Sequence, residues 1–179
     1  MEANIRNSTD NDVEAMLSIY LQHIKRGLEG VEGRQIEMPQ IEDIKRRRKN
    51  MYKKSLPHLV AEINGQVIGY AYAVPFRKRP AYRYAVKHSI YIDNKYINQG
   101  VGRRLLPALL DACAANGYRQ MIGYIDSSNF PSIKLHESLG FKQSGYLTDI
   151  GFKYGKWTDC VIMQRSLGEG PASIPESMR

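Results

Sequence analysis

Apolar residues follow two different periods along this chain, every three or four positions in some segments and every second position in others. The first period is typical of helices that pack one face on a core, and the second is typical of strands. Asn64-Gly65 lies between two apolar runs and predicts a tight hairpin turn. The predicted elements are a strand over 5–8, a helix that begins after Thr9 or Asp10 and ends near 25, a helix over 40–52, strands over 59–63, 67–74 and 82–92, a helix over 103–116, a strand over 118–125, a helix from 128 or 129 to 140, and strands over 141–154 and 157–167.

This order of elements predicts the fold class. Helices inserted between strands favour an α/β protein, here one domain with a mixed central sheet of about seven strands flanked by about four helices. The length of 179 residues suits one domain that buries its core without disulfides. Residues 1–167 should form this domain, and residues 168–179, which are rich in Gly, Pro and Ser, should form a flexible C-terminal tail.

The chain is basic, with a formal net charge of +8. A basic surface favours polyanions or a phosphorylated cofactor. Much of the charge lies in the run from Lys45 to Lys49, which is interpreted either as an anion-binding patch or, more simply, as the solvated face of a helix. No aromatic residues alternate with this run as they would in a nucleic-acid platform, so nucleic acid is not an expected partner.

Cysteine usage and hydropathy predict the compartment. The two cysteines, Cys113 and Cys160, are expected to be free thiols in a reducing cytoplasm. The first residues lack the apolar stretch of a secretory leader, and no apolar run approaches the ~20 residues that span a bilayer, so no membrane association is expected. The four histidines lack the spacing of a metal site, so no metal is expected.

A glycine-rich loop provides the first indication of chemistry. Gly100-Val101-Gly102 connects the strand ending at Ile92 to a helix that begins near Arg103. Glycines let the backbone approach a ligand, and a helix start offers free N–H groups to phosphate. A plain strand-to-helix turn gives the same pattern, and the loop has the signature of neither a P-loop nor a Rossmann fingerprint.

Two later segments, 129–141 and 151–159, change this interpretation. Together with 88–105 they make the chain resemble the GNAT acetyltransferase superfamily, and in particular its phosphinothricin and methionine-sulfone acetyltransferase branch. The resemblance covers about residues 5–167. It implies the GNAT fold and acetyl-CoA as co-substrate. It also implies an N-acetyltransferase that acts on the primary amine of a small molecule, such as an amino acid or its analogue, by direct attack in a ternary complex. Relatives of this branch are commonly homodimers.

The resemblance also implies where acetyl-CoA binds. Backbone groups of Ile90 and Ile92 would bond the pantetheine and the acetyl carbonyl, the loop amides would hold the pyrophosphate, and Asn129 and Ser132 would contact the pantetheine. The expected cofactor-binding residues are Ile90, Tyr91, Ile92, Ile97, Asn98, Gln99, Gly100, Val101, Gly102, Arg103, Asn129 and Ser132.

The resemblance places catalysis and acceptor binding at further residues. His136 takes a position where many relatives have tyrosine, and it could protonate the leaving CoA thiolate. On the residues alone, a histidine such as His136 on an amphipathic helix is more often a surface or packed residue than a catalyst, and His88 could be a satisfied core histidine. The expected catalytic residues are His136, His88 and Lys87, and the expected acceptor-binding residues are Arg83, Tyr84 and Lys87. Tyr82, Tyr84, Tyr91 and Tyr96 could line the acceptor pocket or simply reflect the preference of tyrosine for strands.

Two residues depart from the family pattern. Ile97 replaces a Gln or Arg, so backbone and nearby basic groups must hold the phosphates. Lys87 replaces the glutamate thought to accept the proton of the amine, and a charged lysine cannot act as that base. Three explanations stay open: Lys87 binds an anionic group of a different acceptor, another group such as His88 or Glu62 takes the proton, or the acceptors are already partly neutral. We therefore expect phosphinothricin itself to be a poor substrate.

Two rival functions remain compatible with these residues. One is a protein or peptide N-acetyltransferase, for which an open, acidic groove would suit the acceptor, and this basic chain does not indicate such a groove. The other is a non-catalytic acyl-CoA sensor, which would bind CoA without turnover and would explain both Lys87 and Ile97.

Overall fold

The computed structural model describes residues 2–28, 39–153 and 155–176. Within these ranges the chain forms one seven-stranded sheet and four α-helices. The strands are β1 (Asn4–Asn7), β2 (His58–Ile63), β3 (Gln66–Pro75), β4 (Ala85–Ile92), β5 (Gln120–Asp126), β6 (Lys142–Lys153) and β7 (Lys156–Ser166). The helices are α1 (Val13–Leu28), α2 (Ile41–Lys53), α3 (Val101–Ala115) and α4 (Phe130–Ser138). The predicted α/β fold class and element order are confirmed.

The strands lie in the order β1-β2-β3-β4-β5-β7-β6. Every neighbouring pair is antiparallel except β4 and β5, which are parallel. Helix α3 makes the crossover between these two strands, as a parallel connection requires. One sheet face carries the larger core, in which Leu105, Leu106 and Leu109 of α3 are fully buried. The other face packs against α1 through Met16 and Ile19.

The pairing between β4 and β5 is short, and this creates a wedge in the sheet. Their ladder contains three residue pairs and ends at Lys87–Ile122. Strand β4 then continues to Ile92 and β5 to Asp126, so the two strands run on without pairing to each other. Side chains alternate between the faces of a strand. His88 therefore points toward the α3 and α4 face, and Lys87 toward the α1 and α2 face.

The start of β4 differs from the sequence prediction. The strand was expected from Tyr82, but residues Pro80–Tyr82 form a short 3-10 helix and β4 begins at Ala85. The neighbouring strand explains the difference, because β3 ends at Pro75 and Pro75 pairs with Val86. Residues before Ala85 have no β3 partner to hold them extended, and Pro80 favours the first turn of a helix.

Part of the segment 168–179 is attached to the body of the protein. Leu167 is buried, and a short 3-10 helix spans Gly170–Ala172. The Arg119 side chain donates hydrogen bonds to the Gly170 and Ser173 carbonyls at 2.8 and 3.2 Å. Residues 177–179 of the predicted tail lie outside the described residues.

The basic run of α2 is not wholly solvated, which corrects one interpretation of it. The Arg48 side chain is buried, pairs with Asp10 and donates to the Ser8 carbonyl at 3.3 Å. Lys45 and Arg46 each pair with a carboxylate one helical turn earlier. Four of the five charges in this run are therefore paired with carboxylates of the same chain, and that of Arg48 is buried, which weakens the case for an anion-binding patch.

Across the described ranges, no helix combines the length and the apolar character needed to cross a bilayer. Both cysteines are free thiols: Cys113 is buried and Cys160 is partly exposed.

Candidate active site

A cleft of about 960 Å³ opens where β4 and β5 separate. Its walls come from the ends of these strands, the N-termini of α3 and α4, one side of α1 and the end of β6. The lining residues include Ile19, His23, Ile24, Ile90, Tyr91, Ile92, Tyr96, Ile97, Asn98, Gly100, Val101, Gly102, Arg103, Asp126, Ser128, Asn129, Ser132, Leu135, Phe152 and Lys153.

The glycine loop shapes the anionic end of this cleft. Gly100 is the N-cap of α3 and has a left-handed backbone with φ of 83°. No side chain caps α3, and its first turn contains no acidic residue. The first amide N–H groups of an α-helix have no partner within the helix. At the start of α3 these N–H groups lie at the positive end of the helix dipole. Arg103 is next to them, so the site fits a pyrophosphate.

The N-terminus of α4 forms the opposite wall. The side-chain oxygen of Asn129 accepts a hydrogen bond from the Ser132 N–H at 3.3 Å and caps the helix. Pro131 in the first turn favours the helical start. This cap places Asn129 and Ser132 on the cleft surface, facing the unpaired end of β4.

Two buried histidines meet at the narrow end of the wedge. The His88 and His136 Nε2 atoms are 2.8 Å apart, and the side chains are 9% and 1% exposed. The His136 Nδ1–H donates to the Ser132 carbonyl at 2.7 Å. Burial lowers the pKa of both rings below the ordinary value, and for His88 the neighbouring His136 adds to the shift. Both rings are therefore neutral in the resting protein at pH 7.

Lys87 lies on the opposite face of the sheet from the two histidines. It is half-buried, and its ammonium lies 6.0 Å from the centre of the Tyr124 ring. Arg83 donates to the Pro80 carbonyl at 2.7 Å and lies over the Tyr84 ring at 4.9 Å. None of these three expected acceptor residues lines the cleft.

The structure brings together all the expected cofactor-binding residues except Gln99. The Gln99 side chain instead donates to the Lys95 carbonyl at 2.8 Å. Of the four tyrosines considered for the acceptor pocket, Tyr91 and Tyr96 line the cleft, and Tyr82 and Tyr84 do not. The Tyr91 ring also contacts His23 and Tyr70, at centroid distances of 5.2 and 5.1 Å.

Several lining residues were not anticipated from the sequence. Among them are Asp126 and Lys153, whose side chains pair at 3.5 Å. Burial alone would raise the pKa of Asp126, but hydrogen bonds from Ser128 and the charge of Lys153 lower it below its usual value. Lys153 lies in segment 151–159, which resembles the family, so its place in the sequence could have indicated a role in the cleft. Nothing in the local sequence of α1 indicates that this helix lines the cleft.

The structure argues against one alternative for the base. The Glu62 carboxylate accepts hydrogen bonds from Arg6 at 3.1 Å and from Asn4 at 3.3 Å. The strand register places Glu62 opposite Val67 and Lys87 opposite Val74, which separates Glu62 from Lys87 by about 20 Å along the sheet. The Glu62 carboxylate is therefore engaged by Arg6 and does not occupy the place of the glutamate that Lys87 replaces.

Comparison with known proteins indicates what this cleft does. Residues 5–162 match the family described as acetyltransferase (GNAT) domain. The chain is 40% identical over 174 residues to a phosphinothricin N-acetyltransferase of Alcaligenes faecalis, which covers 96% of this chain and 86% of the relative. It is also 40% identical over 116 residues to an L-methionine sulfoximine/L-methionine sulfone acetyltransferase of Salmonella typhimurium, which covers 65% of this chain and 68% of that protein.

A solved structure extends the likeness to the whole fold. A GNAT superfamily phosphinothricin acetyltransferase from Sinorhizobium meliloti, crystallised in complex with AcCoA, superposes with a TM-score of 0.88. The two chains are 39% identical, and the match covers 98% of this chain and 94% of the other. Within the described part of this chain, no three His, Cys, Asp or Glu side chains cluster as a metal site would require.

Proposed function

The chain belongs to the GNAT acetyltransferase family and uses acetyl-CoA as acetyl donor, and on this basis we propose that it acetylates the primary amine of an amino acid or amino-acid analogue. The observation that carries the proposal is the identity of 40% across 96% of the chain with a phosphinothricin N-acetyltransferase. The second named relative acts on methionine sulfoximine and methionine sulfone, so both point to amino-acid analogues.

Acetyl-CoA supplies a thioester, which an amine can attack. In our proposal the amides at the start of α3 bind the pyrophosphate, Asn129 and Ser132 orient the pantetheine, and backbone groups of Ile90 and Ile92 orient the acetyl group. Fixing the two reactants in one wedge supplies much of the rate enhancement. A backbone N–H aimed at the carbonyl oxygen stabilises the charge that develops there.

We propose that the amine attacks directly, in a ternary complex. Burial raises the pKa of the Cys113 thiol to about 12, so this cysteine is not a nucleophile. Burial also raises the pKa of Cys160. The cleft is open to the helices of both sheet faces, which allows donor and acceptor to bind at once.

Lys87 is proposed to select the acceptor. Its ammonium lies on the α1 and α2 face near Tyr124, and in our proposal it contacts an anionic group of the acceptor there. With lysine at this position, the chain lacks the glutamate that the branch is thought to use as the base. We therefore keep the hypothesis that phosphinothricin is a poor substrate, which efficient saturation kinetics with phosphinothricin would contradict.

The first test is thiol release from acetyl-CoA across a panel of amino acids, their sulfone and phosphinate analogues, polyamines and short peptides. We expect turnover with at least one amino acid or analogue. Turnover confined to peptides would favour a protein acetyltransferase. Tight acetyl-CoA binding without any turnover would favour the sensor function.

We also propose that the protein is a homodimer. The β6–β7 hairpin exposes large apolar side chains, and Tyr146, Ile150, Phe152 and Trp157 are 45–64% exposed. Monomeric proteins seldom expose apolar patches of this kind.

The two free cysteines support a cytoplasmic location, which stays a prediction.

Light scattering after size exclusion tests the dimer. Wild type should elute as a dimer, and Ile150→Asp should elute as a monomer because its charge would be buried in the interface. Ile174→Asp is the matched control, since Ile174 is 65% exposed and lies in the C-terminal segment. A monomeric wild type at micromolar concentration would contradict this proposal.

A further inference from the structure

The two buried histidines make a chain of three hydrogen bonds that ends on backbone carbonyls. His136 Nδ1 faces the Ser132 carbonyl at 2.7 Å, the two Nε2 atoms face each other at 2.8 Å, and His88 Nδ1 faces the Ile122 carbonyl at 3.3 Å. Carbonyl oxygens only accept hydrogen bonds. Three hydrogens are therefore needed to complete the chain, while two neutral imidazoles carry only two.

The distances show which hydrogen bond is left weak. The short contact to Ser132 requires an N–H on His136 Nδ1, which leaves the His136 Nε2 atom as an acceptor. The His88 Nε2 atom must then donate across the 2.8 Å contact, since two lone pairs would repel there. His88 Nδ1 has no hydrogen left, and it faces the Ile122 carbonyl at the longest of the three distances.

This arrangement has a consequence for His136. As a neutral ring it has no hydrogen on Nε2, so by itself it cannot protonate a leaving thiolate. One additional proton on the pair, carried on His88 Nδ1, would complete all three hydrogen bonds while the hydrogen between the two Nε2 atoms stays in place. The pair can then give up that hydrogen and return to the neutral form.

The fold builds a specific place for the pair. The β4–β5 ladder ends at Lys87–Ile122, and the next two residues are His88 and Gly123. A side chain on Gly123 would place its Cβ 2.7 Å from His88 Cε1 and 3.6 Å from His136 Nε2. Phe141, which is 3% exposed, packs against both rings at 5.6 and 4.9 Å. The absence of a side chain at Gly123 is thus what admits the pair at the apex of the wedge.

We propose that His88 and His136 act as one unit that holds a single proton for the departing thiolate, with His88 as the residue that positions and completes His136. This inference rests on the proposed function, because the thioester must lie at the apex. The step balances: the CoA sulfur takes the electron pair of the broken C–S bond, and the hydrogen between the Nε2 atoms moves to that sulfur. The pair, which is neutral in the resting protein, is charged for this step by the proton that the attacking amine releases, and it becomes neutral again when the hydrogen leaves for the sulfur.

Imidazole nitrogen NMR tests the ground state without any acceptor. The chain has four histidines, and His88→Leu and His136→Phe assign the two resonance pairs by their loss. We expect His136 to carry its hydrogen on Nδ1 and His88 on Nε2. Hydrogen on His136 Nε2, or freely exchanging tautomers, would overturn the proposal. This result does not depend on the acceptor, so it is distinguishable from failure of the proposed function.

Kinetics with the acceptor found in the panel tests the shared role. We expect His136→Phe and His88→Leu each to lower kcat by about tenfold, with KM for acetyl-CoA changed less than about threefold, because neither residue is among those proposed to hold the pyrophosphate or the pantetheine. The double variant should lose no more than either single variant, as expected for residues that act as a unit. Independent losses that multiply would overturn the proposal.

Two further variants separate proton holding from packing. His88→Gln keeps an N–H donor toward His136 but cannot be protonated, so kcat should stay as low as in His88→Leu, and recovery to the wild-type rate would overturn the shared proton. Gly123→Ala should lower kcat by displacing an unaltered His88. Gly145→Ala is the matched control, since its Cβ would meet only the flexible Ile162 side chain at 3.2 Å. Melting temperature and acetyl-CoA affinity confirm that each variant is folded.

Discussion

Replacing Gly100 with valine should weaken acetyl-CoA binding by about tenfold to a hundredfold. Gly100 has φ of 83°, and a β-branched residue is strongly disfavoured in the left-handed region. Strain of this kind costs about 1–3 kcal/mol. The loop can relieve it only by turning its amides, and those amides are what the pyrophosphate would bind. The variant therefore either keeps a strained loop or binds acetyl-CoA with amide N–H groups that point away from the pyrophosphate.

The β2–β3 hairpin provides a matched control. Gly65 has φ of 78°, and like Gly100 it has open space where a Cβ would be placed. Gly65→Val should reduce stability through the same strain but leave acetyl-CoA affinity unchanged. Titration calorimetry with acetyl-CoA, together with thermal unfolding, compares the two variants. Equal affinities in Gly100→Val and wild type would show that the loop amides do not hold the cofactor.

These two glycines also show why most of the fold could be predicted. Asn64-Gly65 is a local signal, and both residues have the positive φ that such a turn requires, 52° and 78°. The glycine loop is equally local, because the transition from strand to helix and its special φ are set within a few residues. The prediction was wrong where a strand depends on its neighbour. Tyr82 to Tyr84 were predicted to belong to β4, but β3 ends at Pro75 and offers them no partner.

The candidate site was only partly predictable for the same reason. The cofactor side is built from two helix starts and one strand end, each of which has a sequence signature. The contact of His88 with His136 joins residues 48 positions apart and depends on the absence of a side chain at Gly123. Nothing in the local pattern around either histidine indicates the other. The burial of Arg48 in an otherwise charged helix is likewise decided by Asp10, on a different element.

Replacing Lys87 with glutamate should increase kcat/KM for methionine-sulfone-like acceptors by about tenfold to a hundredfold. Glutamate at this position would restore the group that the branch is thought to use to take the proton of the amine, and general-base catalysis typically contributes ~10²–10⁴-fold. Lys87 occupies the α1 and α2 face, opposite the histidine pair and near Tyr124. Glu62, the carboxylate considered as an alternative base, is paired with Arg6 and lies on β2, two strands from β4.

Lys87→Gln separates the two effects that this change combines, because it removes the positive charge without adding a base. If Lys87 explains the specificity through the missing base, only the glutamate variant should gain activity on neutral sulfone acceptors. If Lys87 acts by binding an anionic acceptor, both variants should lose activity on that acceptor, chiefly through a higher KM. An unchanged or lower rate of Lys87→Glu on every sulfone acceptor would show that Lys87 does not limit them. Steady-state thiol release with each variant, at saturating acetyl-CoA and varied acceptor, decides between these outcomes.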